Sequence, residues 1–142
     1  MGDREKRLRI ASTIGGMVIN TAGVTLPHGM EHPASGRKDI VHGEGLAALT
    51  PVLIEASHQG DPVKYARIAE IFGGITAEDC APKNRALLRD LDMEVTLSDL
   101  GIEEKDIPWM AENCMKVSAA GVANNPAVFT RDEIAELYRK AL

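Results

Sequence analysis

Aromatic side chains are scarce: one tryptophan, two tyrosines and two phenylalanines, 4 % of 142 residues. Sheet sandwiches lean on aromatic and β-branched residues. Here Ala, Leu, Ile, Val and Met supply most of the 44 % hydrophobic content, so an all-α helical bundle is the expectation. The two cysteines, Cys80 and Cys114, stand far apart with no C-x-x-C. That spacing excludes a disulfide framework and a thiolate zinc site, and predicts two buried, reduced thiols. Positive charge is not in surplus either: 16 Lys and Arg face 21 Asp and Glu, a net charge of −5. Phosphate binding needs a basic face, so no nucleic-acid partner is expected. No apolar run approaches the length of a membrane span, and the charged residues 1–7 are not followed by the apolar core of a signal peptide. These absences predict a cytoplasmic chain with no membrane partner, of a length that fits one domain, residues 1–142, with its own core.

What the chain does have is histidine in one place. Three of its four histidines fall within fifteen positions, in His28-Gly29-Met30-Glu31-His32-Pro33 and Val41-His42-Gly43. At about 100° per residue, His28 and His32 lie about 40° apart around a helix axis and reach one cavity. Neutral imidazole suits iron, zinc, nickel and copper, so the pair preorganises half a metal site, with His42 as a third member. Two histidines at this spacing are more often partly buried residues bonded to backbone. The small residues Gly29 and Gly43 favour the metal reading, because they leave room for something to approach. His58, in Ser57-His58-Gln59-Gly60, lacks that context and reads as a solvated helix end. The letters also satisfy H-x-x-E-H, in which two histidines hold zinc and Glu31 would activate water for peptide hydrolysis. Gly29 and Pro33 weaken the regular helix that such a site needs.

The apolar spacing predicts a first helix from a cap at Asp3 through Leu8, Ile14, Met17 and Val18 to Ala22, apolar on much of its circumference and therefore buried on several sides. Gly15-Gly16 within it suggests close approach of a helix or ligand. A short helical piece follows over residues 28–32, kinked by Pro33, then a polar loop over 34–41 and a helix entered near His42. Asp61-Pro62 caps a helix that Gly73-Gly74 stops. Pro82 is expected to divide the next region, with the helix proper starting at Lys83. Residues 95–106 read as turns, Pro108 opens another helix, and Thr130-Arg131-Asp132-Glu133 is a capping box for the last.

Taken together, these motifs resemble the C-terminal helical domain of the iron-containing, or group III, alcohol dehydrogenases, of dehydroquinate synthase-like fold. The family's H-x-M-x-H segment and its later H-G match His28-Gly29-Met30-Glu31-His32 and His42-Gly43, then Ala47 and Pro51. Similarity continues through Leu100 to Pro108, Asn125-Pro126, Thr130, Asp132, Ile134, Leu137-Tyr138 and Ala141-Leu142. Val41 stands where the family has proline, Leu46 where asparagine is common and Ala127 where arginine is common.

The resemblance implies that His28 and His42 are ligands to a divalent metal, Fe²⁺ ahead of Zn²⁺, and that His32 is the catalytic proton relay beside them. The reaction it implies is NAD(P)-linked interconversion of an alcohol and an aldehyde. It also implies a nucleotide-binding domain with a glycine-rich turn, and an Asp and a His that complete the metal shell. Nothing in these residues matches either, so this chain alone is expected not to bind NAD(P). The expected partners are therefore a nucleotide-binding body, the alcohol or aldehyde, and further copies of the chain meeting through an apolar face. The competing reading is a non-catalytic helical domain serving binding or assembly.

Overall fold

The computed structural model describes residues 2–142, and every regular element among them is helical. Eight α-helices follow in order: α1 (Asp3–Ala22), α2 (Leu26–Lys38), α3 (His42–Ser57), α4 (Pro62–Ile71), α5 (Cys80–Asp90), α6 (Ile107–Val117), α7 (Ala119–Ala123) and α8 (Arg131–Lys140). Short 3₁₀ turns precede α4, α5 and α6.

The main core forms where α2, α3, α6 and α8 meet. On α2, Leu26, Met30 and Ala34 recur every fourth residue and are fully buried. His28 and His32 lie two residues out of that register, about 200° round the helix, and so face outward. The packing that sinks Leu26 and Met30 therefore presents the histidines. From the far side of the core the Tyr138 hydroxyl of α8 donates to the Met30 carbonyl at 2.6 Å. A smaller apolar cluster, built on Ile54, Ala69, Cys80 and Ala81, joins α3, α4 and α5. Cys80 and Cys114 are buried and unpaired, as their spacing predicts.

Caps fall where the side chains dictate. Asp61 accepts from the Lys64 amide at 3.0 Å, and Thr130 and Glu133 form their reciprocal box. Gly60 lets the segment after α7 cross closely, since a Cβ there would sit 2.4 Å from the Pro126 carbonyl oxygen. Asn125, buried beside it, donates to Ser57 Oγ at 3.0 Å and to the Ala127 carbonyl at 2.8 Å.

Three expectations are corrected. The helix bearing the histidines does not stop at Pro33: it runs on to Lys38, and Asp39, left-handed at φ 55°, ends it in what reads as a polar loop. Arg37 and Lys38 are held there by Asp106, which is 1 % exposed, at 2.8 and 3.5 Å. Pro82 does not divide α5 but lies in its first turn, where a missing N–H costs nothing. The largest correction is α1, which begins at Asp3 on a Gly2 N-cap and buries no residue at all. Leu8, Ile10, Ile14, Met17, Val18 and Ile19 are 49–66 % exposed, and no neighbour lies within 4 Å of a Cβ placed at Gly15 or Gly16. The apolar circumference asks for a partner that the rest of the described chain does not supply. Asn124 secures its C-terminal end, donating to the carbonyls of Ala22 and Val24.

Candidate metal centre

His28, His32 and His42 come together on one open face, the first two from the outer side of α2 and the third from the entrance of α3. Ring centres are 5.2 Å apart for His28 and His42, 5.8 Å for His32 and His42, and 6.1 Å for His28 and His32. Two imidazoles sharing an ion through nitrogens about 2.1 Å from it stand with ring centres about 5 Å apart, so the His28–His42 separation fits a shared ion. His28 is half-buried, whereas His32 and His42 are exposed. The local reason for the convergence is the short turn over residues 39–41. It reverses the chain so that the first turn of α3 lies beside the middle of α2.

The electrostatics favour a metal-competent ring at His28. Burial, and then repulsion from His42 and His32, holds the His28 imidazole below its ordinary pKa of 6.5, with Glu31 partly opposing. A neutral ring keeps a lone pair for a cation. The donor set is imidazole, which suits the borderline divalent ions iron and zinc.

Glu31 is the residue whose place sequence reasoning missed. It is fully buried, and its carboxylate oxygens meet His42 Nδ1 and Ser35 Oγ. One of its oxygens lies within 4.8 Å of a ring nitrogen of His32 and of one of His42. With both oxygens engaged and no exposed surface, it has no access to a water on an ion, and the H-x-x-E-H peptidase reading finds no support. His58 is apart from this face, bonded to the Glu55 carbonyl at 2.8 Å in the helix-end setting expected of it.

Three imidazoles gathered at the junction of two helices give this helical bundle a candidate metal site. The comparisons give its lineage. The family model described as "Fe-containing alcohol dehydrogenase family, C-terminal" matches residues 3–142. The chain is similar to 1,3-propanediol dehydrogenase of Klebsiella pneumoniae, 34 % identical over 96 % of this chain and 37 % of that one. It is similar also to lactaldehyde reductase of Escherichia coli, 29 % identical over 99 % and 39 %. Among solved structures, the iron-containing alcohol dehydrogenase of Thermococcus thioreducens superposes with a TM-score of 0.84 at 31 % identity, covering 99 % of this chain and 38 % of that one. A 1,3-propanediol oxidoreductase gives 0.82 at 34 %, over 93 % and 36 %. The chain belongs to the iron-containing alcohol dehydrogenase family and corresponds to its C-terminal domain. It spans a little over a third of the length of these relatives.

Proposed function

We propose that these residues form the helical half of a metal-dependent site for alcohol and aldehyde interconversion, with His28 and His42 as metal ligands and His32 as proton relay. The observation that carries this reading is the convergence of the three imidazoles, with His28 and His42 5.2 Å apart. A divalent metal held there, Fe²⁺ by the family's name and otherwise Zn²⁺, would supply Lewis acidity toward the alcohol or aldehyde oxygen, and the hydride chemistry would require a nicotinamide cofactor bound outside these residues. The chain's own part is geometric and protonic. His28 and His42 would offer ring nitrogens from two helices locked by a common core. His32 faces solvent beside them and is placed to carry a proton between the site and water.

Two imidazoles are half a shell, so the remaining ligands and the nicotinamide site would come from residues outside these 142. The apolar face of α1 is the surface we assign to that nucleotide-binding body, and left bare it would promote self-association. A cytoplasmic setting belongs to the same proposal, supported by the two unpaired thiols. Within the described residues, no single helix is long and apolar enough to cross a membrane.

Calorimetry with Fe²⁺ or Zn²⁺ tests the ligands. The wild type is expected to bind, and the His28→Ala, His42→Ala double variant to lose that binding. Identical isotherms would refute the assignment. The chain by itself is expected to show no nicotinamide-dependent alcohol oxidation.

A further inference from the structure

We infer that Glu31 is a positioning residue for His42, holding the imidazole by Nδ1 so that only Nε2 is presented for ligation, and placing negative charge behind the ring. The inference deepens the proposed metal site and rests on it.

Glu31 follows the buried Met30 by about 100° round α2, which turns it toward α3 rather than outward with its neighbour His32. Its seat is shaped for it. Gly45 of α3 passes against the side chain, and a Cβ at that position would fall 2.8 Å from Glu31 Cγ and 2.9 Å from Oε1. One end of the carboxylate accepts from the Ser35 hydroxyl, a helical turn further along α2, and the other meets His42 Nδ1. The same hydroxyl lies 3.0 Å from the Ile40 carbonyl, in the turn that delivers His42, so its single proton is shared between the two acceptors.

A carboxylate only accepts hydrogen bonds, so the ring must donate from Nδ1, and a neutral imidazole that donates there keeps its lone pair on Nε2. Charge points the same way. A fully buried carboxylate is costly without a positive partner. Among the described residues no lysine or arginine pairs with Glu31, and the one basic group that meets it, the His42 ring, carries charge only when protonated. A divalent cation on the far nitrogen of that ring would supply the missing charge through the imidazole. A carboxylate behind a ligating histidine makes the ring a stronger donor, and its loss typically weakens metal binding about 10–100-fold.

Two measurements on the full chain decide the matter. Imidazole ¹⁵N spectra of the metal-free wild type in mildly alkaline buffer are expected to show His42 as the Nδ1–H tautomer. The Nε2–H tautomer would overturn the inference, and this reading requires no variant to fold. In calorimetry with Zn²⁺ alone, Glu31→Gln, which keeps the shape and removes the charge, is expected to bind roughly 10–100-fold more weakly than wild type. An affinity within about twofold of wild type would overturn the role of Glu31 if His42→Ala still abolishes binding. Unchanged Zn²⁺ affinity in His42→Ala would instead overturn the metal-site reading itself, and this inference with it.

Discussion

The Tyr138 hydroxyl of the last helix is bonded to the Met30 carbonyl of the helix that carries the histidines, 108 positions earlier in the chain. The carbonyl of Met30 lies inside the unbroken helix α2, so the phenol adds a second donor to it from across the core. Burial pushes the Tyr138 phenol well above its ordinary pKa, so the group stays a donor throughout the working range.

Replacing Tyr138 by Phe leaves the ring in place and removes one hydrogen bond to the Met30 carbonyl, which keeps its own partner within the helix. A typical hydrogen bond contributes about 0.5–1.5 kcal/mol net, so a stability loss of that order is expected in urea unfolding. Unchanged stability would mean that this bond contributes nothing net to the fold.

Asp106 predicts an acid limb in the stability curve. The Arg37 hydrogen bond, more than any other contact, holds its carboxyl below the usual carboxylate range, with Lys38 adding to the effect and burial opposing it. A carboxylate whose pKa is depressed by folding stabilises the native state above its unfolded value of about 3.9, and that contribution is lost as pH falls through the folded value. The stability gap between wild type and Asp106→Asn should be full at neutral pH and should narrow below about pH 4. Urea midpoints across that range measure it, and a gap independent of pH would contradict the assignment.

The bare helix α1 makes an unusual mutational prediction. Ile14 and Met17 are 54 % and 66 % exposed, so the double change Ile14→Asp, Met17→Lys should leave the unfolding of the bundle within about 0.5 kcal/mol of wild type. Sedimentation should show weaker self-association. Retained self-association would place the contact on another surface, and a large loss of stability would mean that α1 is packed after all.

Local chemistry made much of this fold legible. A proline after Asp61, a threonine three residues before Glu133 and a glycine after His42 are signals that act within one helical turn, and each sits where it was expected. What could not be read acts across the chain. The last turn of α2 exists because Asp106, 69 positions away from Arg37, clamps it against a proline and a run of polar residues that locally argue for a loop. The five-residue α7 starts at Ser118, whose side chain makes no capping bond, and is stitched in by Asn124. The histidine cluster was legible as a cluster, since its members are close in sequence. The pairing of Glu31 with His42 was not, because it depends on how α3 lies on α2. Gly45, three residues after His42, was the available clue: a small residue at a helix crossing leaves space for a neighbouring side chain.

The open disposition of the three imidazoles also bears on how the protein must be handled. In the proposed site, rings 5.2–6.1 Å apart would form a chelating patch that favours the later first-row metals over iron, with copper the most avid. Purified chain is then expected to scavenge nickel from an affinity column and zinc or copper from buffers. The metal found in a preparation will then record where the protein has been rather than what it uses in the cell.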